Sequence, residues 1–280
     1  MIDIAGGVNA EIAYLGLLAD DEIELDSAAL ALSALDHPGT DLESYLDQLR
    51  AITASLEAAR RPIETADLGS GAAQGALLAE IIGGRFGFIG DAETYDAPIN
   101  GDMIRVLDRR RGLPISLSIL YVAAARRLGW TAHALNTPAH VLVGIGPSDD
   151  MAIIDPFHAG APVSSGQLMA LLERTLGPGA RPDADNLSPM SNRLTLVRLL
   201  MNQATRAEQA GDISRACVIY GRITVVAPEH DAGWWELARL QLSLGEVDAA
   251  RASLNGLLEV TRDRDRRAHV RKLLTRLASA

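Results

Sequence analysis

Three short stretches of this chain decide its fold: RRRGLPISLSILYVAAARRLG at residues 109–129, TPAHVLVGI at 137–145 and IIDPFHAG at 153–160. The first predicts a buried helix, because it is apolar on nearly all sides. Pro114 suits the first helical position, where its missing N–H costs nothing, and Gly129 predicts the end of the helix.

Three β-like runs, at residues 131–135, 141–145 and 151–154, follow this helix with turn residues between them. Their order predicts an antiparallel meander packed against one buried helix. The glycine-rich stretch 69–90 lacks the spacing of either nucleotide fingerprint, and it predicts only a loop, a helix and a glycine stop. The predicted fold class of the first part of the chain is therefore α+β.

From Ser191 onward the pattern is helical and repeats with an offset of 34 residues. That period, with glycine between two helices and alanine at their crossing, is typical of tetratricopeptide repeats. We therefore expect an all-α tail of two repeats with a capping helix near residues 270–277. The repeating positions are Gly211 with Gly245, Ala204 with Ala238, Ile213 with Val247, Ala216 with Ala250, and Tyr220 with Leu254.

These patterns divide the chain into residues 1–180, which include an acidic helical N-terminus, and residues 190–280, which hold the repeats. Proline, glycine and aspartate at 177–189 predict a linker. The net charge of −10 falls on residues 1–60, where twelve acidic residues stand against two basic ones. We interpret this excess as a solvated face or as a surface for a basic partner.

The composition excludes several classes of protein. The chain has no basic footprint for nucleic acid and no apolar run long enough to span a membrane, and its acidic first residues lead us to expect no secretory signal. We therefore expect a cytoplasmic protein with neither a nucleic-acid nor a membrane partner. The single cysteine, Cys217, excludes a disulfide framework and a cysteine-rich zinc site, and we expect it to pack inside the first repeat.

The order of three features suggests a catalytic site: the start of a helix, then His140 on the second β-like run, then Asp155 just after the third. Cysteine hydrolases and acyltransferases use this order of parts. In such enzymes a thiol at the helix N-terminus attacks, a histidine moves the proton and a carboxylate orients the imidazole ring. Because His140 and Asp155 lie on neighbouring antiparallel runs, we expect them to touch.

The three quoted stretches resemble the SirB-type transglutaminase-like family, and the order of parts along nearly the whole chain, with tetratricopeptide repeats last, is similar. The resemblance implies a papain-like helix and sheet, and a nucleophile pattern Gly-x-Cys at the start of the helix. This chain has Gly112, Leu113 and Pro114 there, so a proline occupies the thiol position. It also has Ala139 where the family usually has glycine before the histidine.

Ser116 is the candidate replacement for the thiol, in a Ser116–His140–Asp155 arrangement acting on amide bonds. The competing interpretation is that Ser116 and Ser118 bond helix carbonyl groups, since Ser116 lies about 200° around the helix from the thiol position. The His140–Asp155 pair also has an alternative interpretation, as a satisfied polar contact that fixes the sheet.

Other polar residues give weaker signals. His133 and His158 are candidates to join His140 at a metal, but their spacing is not diagnostic, so we predict neither a metal nor a cofactor. The three arginines at 109–111 are interpreted as a solvated turn or as partners of the acidic N-terminal helices.

Three functions are open from the sequence. The first is a non-catalytic relative that acts as a protein-interaction or regulatory module, with the repeats as its surface for an unknown protein partner. The second is a hydrolase or acyltransferase that uses the serine, histidine and aspartate named above. The third is a sensor that binds a small ligand in a cleft near His140.

Overall fold

The computed structural model describes residues 10–63, 68–179 and 187–278 of the chain. Most of these residues are helical, and the strands lie between residues 89 and 162. In chain order the helices are α1 (Ala10–Leu17), α2 (Leu25–Ala34), α3 (Glu43–Arg60), α4 (Gly71–Leu78), α5 (Met103–Arg109), α6 (Pro114–Arg127), α7 (Ser165–Leu176), α8 (Asn192–Gln209), α9 (Ile213–Val226), α10 (Asp231–Ser243), α11 (Val247–Val260) and α12 (Arg264–Ala278).

The strands form two small sheets. β1 (Ile89–Gly90) pairs in parallel with β2 (Arg111–Gly112). The larger sheet is an antiparallel meander in chain order, made of β3 (Ala132–Leu135), β4 (Leu142–Ile145), β5 (Ala152–Asp155) and β6 (Ala161–Pro162). The predicted meander is therefore confirmed, with each of its first three strands beginning one residue later than expected.

Helix α6 lies at the centre of the α+β part, and every residue from Pro114 to Ala125 is buried. Proline occupies its first position, as predicted. At the other end Gly129 adopts a φ of 79°, which lets the N–H of Trp130 reach the carbonyl oxygen of Ala125 at 3.1 Å. This is the bonding of a glycine-terminated helix, so both predicted helix ends are confirmed.

The glycine-rich stretch is helical over more of its length than predicted. α4 begins at Gly71 behind the N-cap Ser70, and it continues as a π-helix over Ala79–Arg85 through the expected glycine stop. Gly71 lies against the larger sheet, where a Cβ atom would come within 2.2 Å of the Ile145 carbonyl oxygen. Glycine is therefore required here for close packing of helix on strand.

The repeat region follows its predicted pattern. Gly211 and Gly245 have φ angles of 78° and 76° between successive helices, where the left-handed conformation favours glycine. Three of the four matching apolar pairs are buried in both repeats: Ala204 and Ala238, Ala216 and Ala250, and Tyr220 and Leu254. In the fourth pair Ile213 is half-buried and Val247 is exposed.

Contacts group the described residues into two compact units, one of which is Asp20–Thr195. The other unit joins the helices after residue 195 with α1, which packs on α9 so closely that a Cβ at Gly16 would lie 2.3 Å from the Val225 carbonyl oxygen. Residues 180–186 of the predicted linker lie outside the described residues, and the boundary at 180–190 stays a prediction. Within the described ranges, no helix has the length and apolar character to cross a membrane.

Replacing Gly71 by alanine tests the packing of α4 on the sheet. We expect Gly71→Ala to lower the free energy of unfolding by about 1–3 kcal/mol, because the new methyl group overlaps strand backbone that cannot move aside. Gly166→Ala in α7 is the matched control, since its Cβ would meet nothing within 4 Å. Urea unfolding followed by circular dichroism gives both values, and equal midpoints would contradict the packing described.

Candidate functional site

The first turn of α6 lies beside the start of β4. The Ser118 hydroxyl donates a hydrogen bond to the carbonyl oxygen of Pro114 at 2.7 Å and lies 3.4 Å from that of Val141. Val141 directly follows His140 in the chain, so this hydroxyl links the predicted thiol position to the histidine segment. The interpretation of Ser118 as a residue that bonds helix carbonyls is confirmed.

Ser116, the candidate nucleophile, is completely buried. Its hydroxyl lies 2.9 Å from the carbonyl oxygen of Asn100 and 3.0 Å from that of Leu113. Two backbone acceptors therefore hold the proton that a nucleophilic serine would have to give to His140. These contacts support the structural interpretation of Ser116, and its catalytic role stays a prediction.

Asn100 and Arg109 connect this region to the smaller sheet. The Asn100 side-chain oxygen accepts a hydrogen bond from Arg109 at 2.8 Å, and a second Arg109 nitrogen lies 2.6 Å from the buried Asp91 carboxylate. The interpretation of this arginine as part of a solvated turn, or as a partner of the acidic N-terminal helices, is therefore wrong. Contacts across the β1–β2 pair bring Arg109 and Asp91 together.

His140 and Asp155 meet as predicted. The Nε2 atom of His140 lies 3.0 Å from each carboxylate oxygen of Asp155, and both side chains are largely buried. Ala139, immediately before the histidine, has a φ of 55° in the left-handed region. Glycine adopts this conformation most readily, so the alanine at this position carries a backbone cost.

His158 also reaches the same carboxylate. Its Nδ1 atom lies 2.7 Å from Asp155 Oδ2, while two-thirds of its side chain is exposed to solvent. Ala159, which follows it, again has a φ of 55°. His133 is engaged elsewhere, because its Nδ1 atom lies 3.2 Å from Arg126 Nη2. The structure thus groups His158, and not His133, with His140.

Phe157 holds the two imidazole rings. Its ring meets His140 and His158 edge to face, with centroids 5.9 and 5.4 Å apart. Its backbone N–H donates to Asp155 Oδ1 at 2.9 Å and so fixes the carboxylate. Gly90 makes room for this ring, since a Cβ there would approach the ring carbons to 2.4 Å.

Charge is concentrated on Asp155. Burial alone would raise the pKa of this carboxyl, but hydrogen bonds from His140 and His158 outweigh burial and lower the pKa below its ordinary value. Beneath the cluster, burial raises the pKa of Tyr121, and the charge of Asp155 adds to the effect. The Tyr121 hydroxyl is buried without a hydrogen-bond partner in the part of the chain that the structure describes.

Sequence reasoning assigned no site role to Phe157 or to the contact between His158 and Asp155. The available signal was local, since Asp155-Pro156-Phe157-His158 places a capping residue before a proline, which favours one tight helical turn. That turn returns the histidine to the carboxylate three residues earlier.

A cavity of about 340 Å³ lies elsewhere, lined by residues of α3 and by Glu24, Ser27 and Arg127, so it gives no support to a ligand cleft near His140.

Two family profiles match the sequence. The profile of the transglutaminase-like superfamily matches residues 43–201, and that of the tetratricopeptide repeat matches residues 207–277. Their order confirms the resemblance and the predicted α+β domain with an all-α repeat tail.

Individual proteins are similar over most of the chain. A UPF0162 protein of Xylella fastidiosa (strain 9a5c) is 27% identical over 249 residues, which cover 88% of this chain and 87% of the relative. A UPF0162 protein of Vibrio cholerae is 28% identical and covers 70% of this chain and 72% of its own. Among solved structures, one of menin aligns with 93% of this chain and 70% of its own, at 15% identity and a TM-score of 0.42.

The Asp91–Arg109 contact predicts a pH-dependent contribution to stability. Hydrogen bonds from Thr94 and Arg109 hold the pKa of Asp91 well below its ordinary value. Asp91→Asn should therefore lower the free energy of unfolding by about 1–3 kcal/mol at pH 7. The difference from wild type should shrink below about pH 4, where aspartate in the unfolded chain takes up its proton.

Denaturant unfolding between pH 7 and pH 3 measures this difference. Asp149→Asn, on an exposed turn, is the control and should leave stability unchanged at every pH. A loss in Asp91→Asn that is constant from pH 7 to pH 3 would show that the carboxylate charge contributes nothing.

Proposed function

The chain belongs to the transglutaminase-like superfamily, and on this basis we propose that it acts without a covalent nucleophile, as a protein-interaction module with a regulatory role. The single observation that carries the proposal is Pro114 at the first position of α6. A proline ring offers no atom that can attack a carbonyl group. Its N1 position also needs no N–H, so the residue suits the helix while leaving the site without a nucleophile.

No other thiol replaces the missing one. Cys217 is the only cysteine in the sequence, and it lies on α9 within the repeats. Burial raises the pKa of its thiol to about 11, so the nucleophilic thiolate is scarce at neutral pH. The hydroxyl of Ser116 is bonded to backbone carbonyls, as described, so the hydrolase alternative lacks a candidate nucleophile with a free proton.

The repeats supply the interaction surface in this proposal. Tetratricopeptide repeats generally mediate protein–protein contacts, and this unit carries large apolar side chains that are exposed on α9 and at the start of α11. Val218 is 44% exposed and Val247 is 40% exposed. Contacts of this kind would take an unidentified protein partner, and the cytoplasmic location stays a prediction.

An activity screen tests the absence of a nucleophile. Wild-type protein and His140→Ala should give the same background with amide and ester substrates and with probes for reactive serine and cysteine. The physical reason is that neither protein has a side chain able to form the acyl intermediate. Turnover that persists in the wild type with EDTA present and that His140→Ala abolishes would contradict the proposal.

Restoring a thiol tests whether Pro114 occupies the nucleophile position. Pro114→Cys places sulfur at a helix N-terminus beside the histidine segment, where its pKa should fall. We expect iodoacetamide at pH 7 to label this thiol at least roughly tenfold faster than it labels Cys217. Ser116→Cys, which is also buried but lies about 200° around the helix from residue 114, is the matched control and should react slowly. Equal labelling of both variants would contradict the assignment of the position.

Crosslinking in cell extract tests whether the repeats bind a partner, with Val218→Glu and Val247→Glu as separate variants. A partner bound through the repeats should be captured by the wild type and lost from at least one variant, because a buried charge in an apolar contact is costly. The control is Glu22→Gln, an exposed change in the other unit. A glutamate at a buried position such as Val106 would not serve, because it would unfold the core. Capture unaffected by either valine variant would contradict a role for these repeat surfaces.

A further inference from the structure

Two imidazole nitrogens converge on one carboxylate oxygen at the edge of the larger sheet. His140 Nε2 and His158 Nδ1 lie 3.0 and 2.7 Å from Asp155 Oδ2. The three donor atoms that these residues offer all lie within 4.8 Å of one another. They come from the segment before β4, the end of β5 and the turn after it, so the fold brings together residues that span 19 positions of the sequence.

We propose that His140, Asp155 and His158 bind one divalent transition-metal ion, with Zn²⁺ as the ion that fits the donor set best. Two imidazoles and one carboxylate are typical ligands of zinc and its first-row neighbours. Calcium and magnesium ions prefer oxygen ligands, so this donor set selects against them.

The spacing of the donor atoms suits such an ion. Ligand atoms around a tetrahedral zinc ion, each about 2.0–2.2 Å from the metal, lie about 3.3–3.6 Å apart. The nitrogen-to-oxygen distances of 3.0 and 2.7 Å are shorter than this by roughly 0.3–0.9 Å. The imidazole of His158 can make the adjustment by rotating about its side-chain bonds, because two-thirds of the side chain is exposed to solvent.

The surroundings hold the ligands in place. The N–H of Phe157 fixes the oxygen of Asp155 that does not face His158, and its ring packs against both imidazoles. Outer contacts of this kind orient metal ligands. Ala139 and Ala159 hold both histidine segments in left-handed backbone, a strain that clusters at binding and catalytic sites. Three protein ligands leave a fourth position to water.

This inference goes beyond the proposed interaction role and does not depend on it. A bound ion requires neither a nucleophile at residue 114 nor a partner on the repeats. The two proposals therefore fail separately: the first by turnover that persists without metal or by partner capture that neither valine variant weakens, and the second by metal titration.

Metal titration of the untagged full chain, stripped with EDTA, tests the site. Co²⁺ is followed by its visible absorption bands, and Zn²⁺ by competition with a chromophoric chelator. We expect one ion per chain. His158→Ala should weaken Zn²⁺ binding by about tenfold or more, since changes at metal sites of this kind have effects of that size even in the outer contacts. Asp155→Asn should weaken it as well.

His269→Ala removes an exposed histidine from α12 and is the matched control, with unchanged binding expected. Circular dichroism checks that each variant is folded. If His140→Ala, tested in the same way, unfolds, the result for His158→Ala decides the question, because His158 is exposed. Wild-type protein that binds Zn²⁺ no more tightly than His158→Ala would overturn the proposal. An equal loss in His269→Ala would overturn it too.

Discussion

The burial of helix α6 is the constraint on which the α+β part of the protein depends. With twelve consecutive buried residues, its polar side chains can find partners only inside the protein, and both of its serines do so. The hydroxyls of Ser116 and Ser118 bond carbonyl oxygens near the first turn. At the far end Arg127 makes two hydrogen bonds of 2.6 and 2.7 Å to the buried Asp26 of α2. These contacts fix the helix, and with it the sheet edge where His140 lies.

The carboxylate of Asp155 organises that edge. It accepts the backbone N–H of Phe157 and faces nitrogens of both His140 and His158, so one buried charge orients three neighbours. None of these three contacts involves Pro114, so the polar centre does not depend on the residue at that position.

The sequence predicted best those features that arise from local chemistry. Pro114 and Gly129 mark the ends of α6 because proline and glycine act on their own backbone, and the offset of 34 residues reveals the repeats. The contact of His140 with Asp155 followed from strand order. Arg109 with Asp91 could not be predicted, because that contact depends on a short parallel pairing of strands that carry no periodic signal. The contact of His158 with Asp155 had a local signal, the capping aspartate before Pro156, but no periodic pattern pointed to it.

The left-handed alanines beside the two histidines have a wider consequence. A left-handed alanine costs about 1–2 kcal/mol relative to a relaxed backbone, yet alanine also leaves the unfolded chain fewer conformations than glycine would. The methyl groups of Ala139 and Ala159 thus restrict the backbone conformations that both histidine segments can adopt. Alanine has the smallest side chain that restricts the backbone in this way. Packing in the rest of the fold must therefore offset the conformational cost at both positions.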